Sequence, residues 1–60
     1  MAIKGDIITF EAGEAIRSRE VKYVMWEDVD RSVYVVDGLP GMGDLWLIEE
    51  WRVQTTIGAN

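Results

Sequence analysis

The chain has 60 residues, contains neither cysteine nor histidine, and carries a formal net charge of −5. Disulfide bonds are therefore excluded, and a structural zinc site is disfavoured because only carboxylate ligands remain. The acidic charge argues against general affinity for nucleic acid or for an anionic membrane surface.

A domain of this length gains little net stability from its core alone, on the order of 3–5 kcal/mol. Small domains usually add a disulfide, a metal or a partner. Since the composition excludes the first and disfavours the second, we expect the chain to form a dimer or higher oligomer, or to pack its core with unusual efficiency.

The sequence shows no linker, internal repeat or low-complexity segment, so we predict one domain over residues 1–60, with frayed ends at 1–4 and 57–60. No apolar run approaches 18 residues, and no charged-then-apolar leader is present. We therefore expect a cytoplasmic protein that makes no membrane contact.

The first half of the chain predicts strands separated by one ambiguous segment. Residues 6–10 (DIITF) form a short β-type run, and residues 21–26 (VKYVMW) are rich in β-branched and aromatic side chains. Residues 11–20 (EAGEAIRSRE) have helical spacing weakened by Gly13, so a short helix and a long loop are both open. Residues 27–32 read as a polar turn.

The second half predicts three further short strands, at 33–36, 45–48 and 52–56. Pro40-Gly41 suits a type II turn between the first two of these, and residues 49–51 suit a tight turn before the last. The fold class is therefore mostly β, a small barrel or a curled antiparallel meander of about five strands. The alternative is a helix packed on a three- or four-stranded sheet.

The central strands are apolar on both faces, although a solvated antiparallel sheet should alternate apolar and polar residues. One set must fill the core, and the other must be covered by residues 11–20, by barrel closure or by another chain. The sequence does not determine which of the two sets of side chains fills the core. We take the first of the two sets listed next as the candidate interface. The first set is Val24, Trp26, Tyr34, Val36, Trp46 and Ile48, and the second is Tyr23, Met25, Val33, Val35, Leu45 and Leu47.

Two segments follow a known pattern. Gly5-Asp6 precede the first strand, and residues 46–53 (WLIEEWRV) combine an aromatic-aliphatic strand, an acidic turn with a large apolar residue, and a last short strand. This arrangement resembles the SH3-like small β-barrel superfamily, in outline from Gly5 to Val53. The resemblance implies a fold and no particular function.

Two functional branches of that superfamily can be compared with the chain. The branch that binds proline-rich peptides uses aromatic residues in its first long loop, and residues 11–20 contain none. Plasmid-encoded dihydrofolate reductases with SH3-like chains carry a Val-Gln-Ile-Tyr motif, of which only Val53-Gln54 is present. Neither activity is carried over to this chain.

The sequence predicts no enzyme and assigns no catalytic, metal or cofactor-binding residue. Histidine, the commonest general base, is absent, and Glu49 and Glu50 would point to opposite sides of a strand. Residues 27–30 lack the spacing of a calcium loop, and the glycines of 38–43 precede a strand rather than a helix, unlike a phosphate-binding loop.

Four of the six basic residues form a candidate basic patch between positions 17 and 31: Arg17, Arg19, Lys22 and Arg31. Acidic residues interleave with them, so a self-neutralising charged face is the simpler expectation. A patch that grips phosphate or an acidic protein surface is the alternative.

Taken together, these patterns predict a small non-enzymatic interaction or regulatory module that self-associates and binds a larger protein. By analogy, it would be an accessory protein of a phage or mobile element. Two alternatives stay open: an acidic nucleic-acid mimic that blocks a DNA- or RNA-binding protein, and a nucleic-acid-binding small barrel that uses the residues from Arg17 to Arg31.

Overall fold

The computed structural model describes residues 1–28 and 31–58, apart from the side chains of 26–28. It contains six strands and one 3₁₀ turn, at Glu50–Arg52, and no α-helix within the described residues. The mostly β fold class is confirmed, with six strands rather than about five. The strands are β1 (Ile7–Ala12), β2 (Ala15–Glu20), β3 (Tyr23–Asp28), β4 (Arg31–Asp37), β5 (Leu45–Glu49) and β6 (Val53–Ile57).

Residues 11–20 form neither a helix nor a long loop, because β1 and β2 make an antiparallel hairpin in which Ala12 pairs with Ala15. The connecting residues are Gly13 and Glu14, with Gly13 at φ +65°. A positive φ at the first of two loop residues is typical of a type II′ turn, whose twist suits a hairpin. Pairing with β1 satisfies the backbone of β2 without the continuous apolar stripe that a helix would need.

The strands form two three-stranded antiparallel sheets, ordered β2-β1-β6 and β3-β4-β5. The chain passes from the first sheet to the second at Val21 and Lys22. The Val21 N–H donates to the Asp6 carbonyl at 2.8 Å, and the Lys22 N–H donates to the Val35 carbonyl at 2.8 Å. No ladder among the described strands joins the sheets, so they do not close into a barrel.

The core lies between the inner faces of the two sheets. Phe10 and Trp46 meet edge to face across it, with ring centroids 6.3 Å apart and planes at 79°. Such an arrangement is favoured by the aromatic quadrupoles. The fully buried apolar residues are Ala2, Ile8, Phe10, Val21, Tyr34, Val36 and Ile48.

The start of the chain, which we expected to be frayed, is held against the core. Ala2 is buried, and its N–H donates to the Tyr34 hydroxyl at 3.0 Å. The Ile3 N–H donates to the Asp6 carboxylate at 3.0 Å. At the other end, Ile57 still pairs with β1, and residues 59–60 lie outside the described part of the chain.

The type II turn predicted at Pro40-Gly41 is confirmed. The Met42 N–H donates to the Leu39 carbonyl at 3.2 Å, and Gly41 has φ +78°. A positive φ at the third residue is the defining requirement of this turn.

Within residues 1–28 and 31–58, no helix is long and apolar enough to cross a bilayer.

Candidate interaction surface

The candidate interface chosen from the sequence proves to be the inner face of the second sheet. Tyr34, Val36 and Ile48 are fully buried in the core. Val24 and Trp46 are half-buried and pack against that core, while the side chain of Trp26 lies outside the described residues. The choice of face is therefore corrected: the inner set meets the β2-β1-β6 sheet of the same chain.

The opposite face of the second sheet points away from the core. We call it the outer apolar face. Four of its side chains are at least half exposed: Tyr23 (60%), Met25 (50%), Leu45 (56%) and Leu47 (57%). The outer apolar face comprises Tyr23, Met25, Val33, Val35, Leu45 and Leu47.

The register of the strands makes this face continuous rather than a scatter of single residues. Tyr23 pairs with Val35, and Val35 pairs with Leu47, so the three lie in one row across the sheet. Met25 and Val33 form the neighbouring row. Side chains directly opposite each other on antiparallel strands are in contact distance. Val35 is buried at the centre, and the apolar rows are bounded by Glu49, opposite Val33, and by Asp37, opposite Leu45.

The area of the exposed patch is large for so small a chain. Four half-exposed side chains of this size present on the order of 400 Å² together, near the largest patch of an ordinary monomer. The whole chain exposes 4351 Å², so about a tenth of its surface is this one apolar patch.

An open cleft of about 510 Å³ borders one end of the outer apolar face. Its apolar lining comes from Val33, Leu47 and Trp51, the last of which belongs to the 3₁₀ turn. Trp51 is 79% exposed, and its indole N–H donates to the Glu49 carboxylate at 3.0 Å. The cleft thus adds an oriented tryptophan, a residue type enriched at protein interfaces, to the apolar face.

Charged residues of both signs lie at each end of the face. Arg31 and Glu49 lie at the end that carries the cleft. At the other end, the Lys22 ammonium and the Asp37 carboxylate are 3.2 Å apart, and both side chains are well exposed. This exposed pair contributes little to stability, but such charges can orient a partner.

The four residues of the candidate basic patch do not form one surface. Arg17 and Arg19 lie on the inner side of β2, and the centre of each guanidinium is 5.6 Å from the centroid of the Trp46 ring. Lys22 pairs with Asp37, whereas Arg31 is exposed and lines the cleft beside Trp51. The basic stripe that nucleic-acid binding would require is therefore split into separate environments.

The inner face also holds a polar cluster that sequence reasoning missed. The Tyr34 hydroxyl donates to the Glu50 carboxylate and accepts from the Ala2 N–H. Burial and the neighbouring Glu50 carboxylate raise the pKa of Tyr34 above its ordinary value. A tyrosine in an apolar strand signals a buried hydroxyl that needs a partner, but the sequence gives no indication that Glu50 and Ala2 supply it.

The described residues contain no group of three or more carboxylates arranged to hold a metal ion. The fold and surface together define a small two-sheet β domain with one solvent-exposed apolar sheet face. Comparisons with protein-family models, with curated proteins and with solved structures found no match to this chain.

Proposed function

We propose that this chain is a non-enzymatic interaction module that self-associates, with the outer apolar faces of two copies packed against each other. The observation that carries the proposal is the row in which the exposed side chains of Tyr23 and Leu47 flank the buried Val35, with exposed Met25 and Leu45 beside it. The largest apolar patch of a small protein is often a functional contact surface.

The available area suits a second copy of the same chain. With Trp51 included, two such faces would together remove on the order of 1,000 Å² from water, which is where specific interfaces begin. A two-fold arrangement uses the same patch on both subunits. Because of this symmetry, one self-complementary face on each copy is enough to form a closed dimer.

The charges at the ends of the face agree with that symmetry. A two-fold axis that lies between the two faces near Val35, perpendicular to the strands, would bring the Lys22–Asp37 end of one copy towards the Arg31–Glu49 end of the other. Since each end carries both a positive and a negative side chain, opposite charges can face each other in both halves of the interface. No like-charge end is forced against itself.

The small size of the core gives a second reason for association. Among the side chains that the structure describes, seven form the fully buried cluster, and one of them, Ala2, is small. A core of this size supplies only about 3–5 kcal/mol, and burial of a second apolar face would increase that margin.

We also propose that the two sheets are an open form of the SH3-like barrel. The 3₁₀ turn between β5 and β6 supports this assignment, because it lies where the outline has its acidic turn with a large apolar residue. The assignment concerns the fold, and it adds no ligand or activity.

The described residues favour neither alternative function. An acidic mimic needs rows of free carboxylates, yet five described carboxylates are engaged within the chain: Asp6, Asp37, Asp44, Glu49 and Glu50. A nucleic-acid-binding barrel needs an exposed basic stripe, and Arg17 and Arg19 lie between the sheets instead.

The test compares two lysine substitutions at exposed apolar strand residues. Leu47→Lys places a charge in the centre of the outer apolar face, whereas Ile16→Lys places it on the edge strand β2, at a similarly exposed side chain (63%). We expect light scattering after size-exclusion chromatography to give a dimer for the Ile16→Lys variant and a monomer for Leu47→Lys. Equal molar masses for the two variants at every concentration would reject this face as the interface.

A further inference from the structure

The strand β5 lies at one edge of the second sheet, and only β4 pairs with it among the described strands. Opposite residues of an antiparallel pair of strands are hydrogen-bonded at every second position. The Gly38 N–H donates to the Asp44 carbonyl at 3.0 Å, and the β4–β5 register continues from this pair. Counted from Asp44, the next hydrogen-bonded residue of β5 is Trp46. Leu45 and Leu47 therefore direct their N–H and C=O groups away from β4.

The backbone of β4 shows the same alternation from its other side. The Val35 carbonyl accepts a hydrogen bond from the Lys22 N–H at 2.8 Å, so the backbone groups of Val35 face β3. Both groups of one residue point to the same side of an antiparallel strand, and Val35 is the residue opposite Leu47. No other described residue hydrogen-bonds to the Leu47 backbone. Its N–H and C=O are thus unpaired at the edge of the sheet.

An open cleft of about 360 Å³ lies along this free edge. It is lined by the consecutive β5 residues Leu45–Ile48 and by Ala12, Gly13 and Arg52. Since successive residues of a strand project to opposite faces, a cleft that contacts all four lies beside the edge of the sheet rather than on one face. The unpaired backbone groups of β5 therefore face an open space.

The β5 edge lacks the features that usually prevent an edge strand from pairing further, namely charged side chains, proline and β-bulges. Residues Leu45–Ile48 are all apolar, and their pairing with β4 has no register shift. By contrast, the edge strand β2 carries Arg17 and Arg19, and the edge strand β3 has a register shift between Trp26 and Asp28. The β5 edge is therefore available to another strand.

We infer that the free edge of β5 binds an extended peptide segment of another protein, in which apolar residues alternate with acidic ones. The segment would add a strand to the second sheet through hydrogen bonds with the backbone of Leu45 and Leu47. Every second side chain of the segment would lie beside the exposed Leu45 and Leu47 side chains, where an apolar residue fits. The side chains between them would point to the inner side of the cleft.

Arg52 determines the charge that suits the inner side. Its Nη2 donates to the Glu11 carbonyl of β1 at 2.8 Å, which holds the guanidinium on the side of the cleft that faces the first sheet. No carboxylate of the described residues forms an ion pair with Arg52, and the other six residues of the lining are uncharged. The remaining N–H donors of Arg52 suit a carboxylate. Acidic side chains at the inward positions of the segment therefore complement the cleft.

The direct test is a nuclear magnetic resonance titration of the full chain with the acetylated and amidated pentapeptide Val-Glu-Val-Glu-Val. We expect saturable shifts of the Leu45 and Leu47 amide signals that exceed those of Trp46 and Ile48. At saturation, hydrogen exchange at the Leu45 and Leu47 amides should slow by about tenfold or more, because both amides gain an acceptor. The same peptide with N-methyl groups on its three central amides keeps the side chains but loses the donors, and should bind about tenfold more weakly.

Exchange of charge tests the acidic character of the segment. The unmodified chain should prefer Val-Glu-Val-Glu-Val to Val-Lys-Val-Lys-Val, and Arg52→Glu should reverse this preference, with about tenfold weaker binding of the glutamate peptide. Lys4→Glu is the matched control, because it makes the same change of charge at an exposed residue beside Tyr23, on the opposite edge of the sheet. It should leave the preference unchanged.

The inference is overturned if millimolar peptide shifts the Leu45 and Leu47 amides no more than those of β2. It is also overturned if the N-methylated peptide binds as tightly as the parent peptide, or if the unmodified chain binds the lysine peptide as tightly as the glutamate peptide. Protection of the two amides without peptide, growing with protein concentration, would show that a second copy occupies the edge instead.

Strand addition at β5 is independent of the proposed dimer. Met25→Lys places a charge on the outer apolar face at β3, which lies on the other side of β4 from β5. This variant should be a monomer and should still bind Val-Glu-Val-Glu-Val with unchanged affinity.

Discussion

At the scale of single residues, the Tyr34 hydroxyl joins three parts of the chain. It accepts a hydrogen bond from Ala2 at the start of the chain and donates one to Glu50 in the 3₁₀ turn, while its ring fills the core. The hydroxyl therefore ties the start of the chain and the entrance to β6 to the central strand of the second sheet. Buried polar groups with partners stabilise mainly because leaving either partner alone is costly.

Tyr34→Phe tests this arrangement. The ring stays, but the Ala2 N–H and the Glu50 carboxylate lose their partner, and we expect the free energy of unfolding in urea to fall by about 1–3 kcal/mol. Tyr23→Phe removes a hydroxyl from a side chain that is 60% exposed and should change stability by less than about 0.5 kcal/mol. Equal effects of the two substitutions would contradict the role of the Tyr34 hydroxyl.

The same residue predicts a pH dependence. Because burial, and then the neighbouring Glu50 carboxylate, raise the pKa of Tyr34 above its ordinary value of 10.0, the folded chain holds this proton more tightly than the unfolded chain. The stabilisation is complete below pH 10 and is lost as the pH rises through the raised pKa. The stability difference between the unmodified chain and Tyr34→Phe should therefore shrink above pH 10. A difference that stays constant up to pH 12 would contradict this.

At the scale of elements, the β1–β2 hairpin is the element whose local sequence differs most from its structure. Arg17, Ser18 and Arg19 are polar, and nothing local marks them as a strand. Their conformation follows from long-range partners: β1 supplies the ladder, and Trp46 and the Asp37–Gly38 carbonyls receive the two arginines. Tertiary contacts of this kind are invisible to a single-sequence pattern.

Gly13→Ala tests the turn of this hairpin. Nothing lies within 4 Å of an added Cβ at Gly13, so the only penalty is the backbone conformation at φ +65°. We expect a loss of about 1 kcal/mol in unfolding free energy. Gly58→Ala is the matched control, because Gly58 has no positive φ, and it should be neutral within about 0.5 kcal/mol. A neutral Gly13→Ala would show that this turn conformation is not required.

Other elements could be predicted because their signals are local. The runs VYVV and LWLI lie within β4 and β5, and Pro40-Gly41 forms the expected turn. The inner and outer faces of the second sheet could not be distinguished, since both are apolar and only packing against β1 decides between them. Trp51 was missed as part of the surface, because an aromatic residue in a turn is equally compatible with the core.

At the scale of the whole molecule, the β3-β4-β5 sheet has two apolar faces with different roles. Its inner face completes a small core with the β2-β1-β6 sheet, and its outer face leaves Tyr23, Met25, Leu45 and Leu47 in water. Covering the outer face with a second copy resolves the apolar excess that the sequence shows on both sides of the strands. It also couples stability to concentration, since a dimer becomes more stable as the chain is concentrated.

Sedimentation equilibrium of the unmodified chain, from micromolar to millimolar concentration, tests the self-association most directly. We predict a monomer–dimer equilibrium in which the average molar mass rises with concentration towards twice the 6.8 kDa of one chain. A molar mass of 6.8 kDa at every concentration would contradict it.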